Sequence, residues 1–99
     1  QRLARKVGGE THRYLGLLRF EETTDGVLWA GYEPAYDITL FLARHFAARL
    51  ASEHWLICDI RRGKAACHRP GNGVQGAVLG DDMLAALRRT GRPPENARP

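Results

Sequence analysis

The stretch from His54 to Arg69 constrains this chain more than any other, because two runs of β-favouring residues flank a single Arg-Gly pair. HWLICDI (His54 to Ile60) is the first run, and Lys64 to Arg69 is the second. With Arg62-Gly63 as a two-residue hairpin loop, paired residues carry numbers that sum to 125. Arg61 then faces Lys64, Asp59 faces Ala66 and Cys58 faces Cys67. Leu56, Cys58, Ile60, Ala65 and Cys67 share one face, expected to be the core. Trp55, Asp59, Arg61, Lys64 and His68 fall on the other face or at the tip.

The other segments are read around this hairpin. Residues 1–7 predict one or two helical turns closed by Gly8-Gly9. His12 to Glu22 reads as a strand, with Tyr14, Leu18 and Phe20 on one face and Arg13, Arg19 and Glu21 on the other. Gly16 inside it points to a bulge or a close backbone approach. Thr23 to Gly26 supplies turn chemistry, and Val27 to Glu33 returns as a second strand stopped by Pro34. Asp37 is placed as the N-cap of a helix running to about Ala51. Its main stripe is Leu42, Ala43, Phe46, Ala47 and Leu50, flanked by Ile38, Phe41, His45 and Arg49. Residues 70–80 are glycine-rich and read as a loop, after which Asp81 or Asp82 caps a short helix to Arg89. The expected architecture is α+β, in the order ββαββ: a four-stranded antiparallel sheet, one main helix packed on a face, and a short terminal helix.

Ninety-nine residues make a single domain, here 1–90, with a thin core. From Gly91 onwards proline and charge predict a disordered tail. A chain opening at glutamine reads as a fragment of a longer protein. No run approaches the ~20 apolar residues of a membrane span and QRLARKVGGE has no signal-peptide core, so no membrane contact is expected; two cysteines make no secreted disulfide scaffold, and a cytoplasmic compartment is expected. Fifteen basic residues against 11 acids give +4, and only Lys6 and Lys64 are lysines. Arginine's planar fork suits phosphate and carboxylate, so the bias leans towards anionic partners; a high-GC genome writes the same bias.

The spacing of reactive groups argues against several chemistries. Cys58 and Cys67 face each other in the hairpin register, within disulfide reach, so a pair that is reduced in the cytosol is expected to bridge within one molecule under oxidation. His54 lies roughly 13 Å along the strand from Cys58 and His68 points the other way, so no metal site is expected. Ser52 is the only serine and has no histidine in register. PGNGVQG lacks the lysine and hydroxyl of a phosphate-binding loop. No cofactor is expected, and no self-contained catalytic constellation is visible. What remains is basic surface: Arg61, Arg62 and Lys64 at the hairpin tip, and Arg13 and Arg19 on the first strand, with Trp29, Tyr32, Tyr36 and Trp55 available to stack bases. Two readings stay open: a nucleic-acid contact, or a solvated tip above aromatics that fill a thin core.

The strings E-T-H-R-Y-L-G-L-L-R-F-E-E, G-V-L-W-A-G-Y-E-P-A-Y-D-I, L-A-R-H-F-A-A-R-L and W-L-I-C-D-I-R-R-G-K-A resemble a bacterial DNA-metabolism family, domain of unknown function 4130. The likeness covers roughly residues 10–69. Members are encoded beside a radical-SAM protein of DNA repair or modification, and some are joined to a uracil-DNA-glycosylase-like domain. The family pattern falls on His12-Arg13, Arg19-Phe20, Glu33-Pro34, Asp37, the H-F-x-x-R of His45, Phe46 and Arg49, Asp59, and Arg62-Gly63-Lys64. The cysteines stand outside it, and residues 70–99 lack the aromatic, arginine-rich stretch that usually follows. The resemblance implies an accessory domain in DNA repair or modification, with DNA, a radical-SAM protein or a glycosylase-like domain as partner. Two alternatives are an enzyme using His12, His45, Arg49 and Asp59 around one pocket, and a structural adaptor without nucleic-acid contact.

Overall fold

In a computed structural model describing residues 2–93, the chain is α+β, with three helices and a five-stranded mixed sheet. The elements are α1 (Arg2–Leu17), β1 (Glu21–Glu22), β2 (Leu28–Tyr32), α2 (Thr39–Arg49), β3 (Trp55–Asp59), β4 (Lys64–Arg69), β5 (Gly73–Val78) and α3 (Asp81–Thr90), and the strands lie in sequence order. This replaces the four antiparallel strands predicted above. β2 and β3 run parallel, because the helix between them returns the chain to the same end of the sheet. A strand–helix–strand order with one crossover helix is the βαβ unit, and its second strand is buried on both faces. All five residues of β3 are buried accordingly.

The core is therefore double. Ala30, Tyr32, Ile38, Leu42, Ala43, Phe46, Trp55, Ile57 and Ala66 pack under α2, with Val7, Tyr14 and Leu15 of α1 alongside. On the other face Trp29, Leu56, Cys58, Ala65 and Leu79 pack against Leu87, with Met83 and Leu84 of α3 closing the edge. The face predicted to be the single core is thus the smaller one, and the face carrying Trp55 and His68 holds the larger.

The N-terminal prediction changes most. Residues 2–17 form one continuous helix through Gly8 and Gly9, so Tyr14 and Arg13 are helical and the first strand shrinks to two glutamates. Leu3, Val7, Glu10, Thr11, Tyr14, Leu15 and Leu18 recur at three- and four-residue steps, which is a helical stripe. Three glycines cost that helix about 1 kcal/mol each relative to alanine, and tertiary contacts offset the loss. At the other end, Gly71 and Gly73, both at positive φ, turn the supposed loop into a hairpin that adds β5. α3 starts as expected, with Asp81 and Asp82 in its first turn, where acids favour the helix dipole. Residues 94–99, most of the predicted tail, lie outside the described residues; Arg92, before them, pairs with Glu21 at 3.2 Å.

Candidate nucleic-acid interface

The segment between β2 and α2, residues 33–38, lies at the carboxyl ends of the parallel strands, where open sheets of this kind place their sites. Here that position is occupied by the protein's own polar groups. Glu10, buried in α1, accepts the backbone N–H groups of Ala35 and Tyr36, each at 2.7 Å. From the β3–β4 turn, Arg62 donates Nη1 to Pro34 O at 3.0 Å and Nη2 to Ala35 O at 2.7 Å. The same guanidinium meets the fully buried Asp59 carboxylate at 3.1 Å, and Asp59 also accepts the Arg62 backbone N–H at 3.0 Å. Lys64 Nζ sits 2.7 Å from Asp37 Oδ2. Asp37 therefore pairs with β4 and does not cap α2, whose N-cap is Ile38 with no side-chain bond.

These contacts reset the hairpin. Asp59 faces Lys64, Cys58 faces Ala65, and Leu56 faces Cys67, so paired numbers sum to 123 and the loop has four residues. Gly63 closes it, at φ +70 with its N–H on Asp59 O. A shift of two keeps every side chain on its predicted face but moves Cys67 off Cys58. The cysteines become diagonal neighbours, about 7–8 Å apart, and both are free thiols. Cys67 Sγ lies instead 3.7 Å from His54 Nε2. Burial pushes the Cys67 thiol up, with Arg69 opposing, while burial, Arg69 and His68 push the His54 imidazole down. Both groups stay neutral at pH 7, so this pair holds no thiolate nucleophile.

The other predicted residues scatter. His12 is exposed on α1, and Arg49 is exposed in the last turn of α2. His45 is half-buried, edge-on to Phe46, with a buried Nε2 that has no hydrogen-bond partner. Asp59 belongs to the opposite end of α2, since its neighbouring strand residue Tyr32 bonds Thr39 at the helix start. Ten residues of helix separate that end from Arg49, about 15 Å. Asp59 and Arg49 therefore stand at opposite ends of α2. Trp29, Tyr32 and Trp55 are buried, and Trp55 stacks on His68 at 5.2 Å, so of the four predicted stacking rings only Tyr36, half-buried, keeps any surface. Among the described residues there is no cluster of three metal-ligating side chains and no helix long and apolar enough to cross a membrane.

Of the predicted phosphate contacts, Arg62 and Lys64 are thus committed internally, and Arg61 stays exposed at the turn. Arg13 reaches Glu10 at 3.6 Å yet keeps 63% of its side chain exposed, and Arg19 donates to Gly16 O and Leu18 O at the end of α1. Arg2, Arg5 and Lys6 join them, all exposed on α1. At about 100° per residue, Arg2, Arg5, Lys6 and Arg13 occupy one arc of about 100°, away from the packed stripe. Gly9 and Gly16 fall within that arc, with open space where a side chain would stand. Residues 1–19 hold five basic side chains and one acid, whereas residues 20–99 hold ten of each. The whole net charge of +4 therefore resides on α1 and its exit, and the one acid there, Glu10, is buried. Arg2, Arg5 and Lys6 were missed because 1–7 was read as a fragment of helix; the stripe from Leu3 to Leu18 was the signal.

The model of a protein family, described as a domain of unknown function (DUF4130), matches residues 1–95. The chain belongs to that family. The match takes in α1 and every strand, so the basic helix and the Glu10 clasp lie inside the DUF4130 unit. No curated protein and no solved structure matches the chain.

Proposed function

We propose that this DUF4130 domain is an accessory module of DNA repair or modification that grips a nucleic-acid backbone through the exposed face of α1. The observation that carries the contact is the placement of the entire net charge on that helix and its exit at Arg19, with the one acid there turned inward. Arg2, Arg5, Lys6 and Arg13 offer donors to phosphate without burying charge, and glycines between them leave room for a backbone to approach. Arg19 and Arg49, which line one hollow with Leu18 and Phe20, extend the basic surface past the end of the helix. The repair setting, with a radical-SAM protein or a glycosylase-like domain as the enzyme served, rests on the resemblance over residues 10–69. Binding of this kind reads backbone, since the candidate donors lie on the α1 surface and the buried tryptophans provide no stacking platform there.

The test is fluorescence anisotropy of a labelled duplex with the wild type and two variants. Arg2→Ala/Arg5→Ala/Lys6→Ala/Arg13→Ala should abolish binding, and Arg61→Ala should leave it nearly intact. The reverse pattern would return the interface to the hairpin tip. Absence of binding by the wild type at low salt would reject nucleic acid as the partner.

A further inference from the structure

The two edges of the sheet differ in a way that identifies a partner. β1 is two residues long and both are glutamate, a short charged edge that resists pairing. β5 is six residues, GVQGAV, with no charge and no proline. Val78 at its end is 87% exposed, the highest value among the large exposed hydrophobics. Nothing of the kind that normally blocks an edge is present on this strand.

The ladder tells which groups are open. Leu79 N–H donates to Gly63 O at 2.8 Å, in phase with the pairs Ala65–Ala77 and Cys67–Gln75. Antiparallel ladders alternate, so residues 73, 75 and 77 spend their N–H and C=O groups on β4. Val74, Gly76 and Val78 turn theirs outward, to the open edge.

We propose that β5 pairs antiparallel with β5 of a second copy, about a two-fold axis through Gly76. That register sets Val74 against the second copy's Val78 and Gly76 against its own equivalent. Three pairs that each exchange two bonds give six hydrogen bonds, using all the outward groups of the strand. A register displaced by one residue sets outward groups against spent ones, and a centre at Gln75 aligns only Val74 with Gly76. The chosen register also covers Val78 with the second copy's Val74, a β-branched pair on one face. An uncharged strand meets its own copy without repulsion, and the two-fold register pairs every outward group of one copy with one of the other. The axis leaves the basic α1 helices apart, because Tyr14 packs α1 towards Tyr32 of β2, three strands from the edge. Both helices then lie on one face of a continuous ten-stranded sheet.

The experiment is sedimentation of the full chain in a Cys67→Ser background, which removes the half-exposed thiol. The expected species has twice the 11.1 kDa chain mass. Gly76→Lys places two like charges directly opposite and should weaken the dimer about two- to fivefold, with circular dichroism unchanged. Open space at Gly76 allows the side chain in the monomer. Gly76→Cys should cross-link to itself under mild oxidation, whereas Ala77→Cys, which faces Gln75 in this register, should not. A wild type that stays monomeric at submillimolar concentration would leave the edge to an extended segment of another protein and overturn the proposal. A dimer that survives Gly76→Lys and fails to cross-link at 76 would overturn it equally.

Discussion

Arg62 and Arg61 are neighbours of the same type with opposite roles. Truncating Arg62 strands the Asp59 carboxylate in a fully buried position and removes two donors from the Pro34–Ala35 carbonyls. Arg62→Ala should therefore cost about 3–5 kcal/mol in denaturant melts, the penalty of an unpaired buried charge. Arg61→Ala should stay within about 0.5 kcal/mol. Glu10 belongs with Arg62: its carboxylate takes two backbone donors that have no other partner in this site, so Glu10→Ala should lose about 2–4 kcal/mol. Equal melts for the Arg62 and Arg61 variants would show that the clasp does not hold the β2–α2 segment. None of this was legible from residue type. A basic turn reads as solvated tip or phosphate contact, and only the fold brings Pro34 and Ala35 under the Arg62 fork.

Among the elements, the hairpin was legible in its faces and not in its register. Alternation along His54–Arg69 assigns each side chain to a face, and a slip of two residues preserves that assignment, so the pattern could not choose between sums of 125 and 123. What chose was Asp59 binding the Arg62 backbone, which favours a four-residue loop. The consequence is testable on the cysteines. Mild oxidation should leave no Cys58–Cys67 bridge within a molecule, since diagonal neighbours exceed disulfide reach, and mass spectrometry that finds one would restore the shorter loop. Burial pushes the Cys58 thiol up to about 12. A raised folded value means its contribution to stability is full below the ordinary thiol value of 9.0 and fades as pH rises towards 12. Cys58→Ala should accordingly flatten the loss of stability over that alkaline window, and an unchanged pH profile would contradict the burial. The helix α1, despite its apolar stripe, and strand β5 are obscured for one shared reason: glycine lowers the local propensity of both, and tertiary pairing overrides it.

At the scale of the molecule, the α+β class and the order of the central elements were readable from hydrophobic period, while the parallel β2–β3 pairing followed from the crossover helix and was not drawn. Charge is legible as a total and as a segregation into residues 1–19, but the fold decides which arginines are spent inside. With Arg62 and Lys64 engaged in the clasp and the charges of residues 20–99 in balance, the unbalanced positive charge belongs to α1 and its exit. The most direct measurement of its role is the salt dependence of duplex binding, read as the slope of log K against log salt. Each phosphate neutralised contributes about −0.9 to that slope, so four contacts from Arg2, Arg5, Lys6 and Arg13 predict about −3.6. The variant lacking all four should lose that slope, and Arg61→Ala should change it by no more than about one contact's share. A wild-type slope that the fourfold α1 variant leaves unchanged would contradict the account.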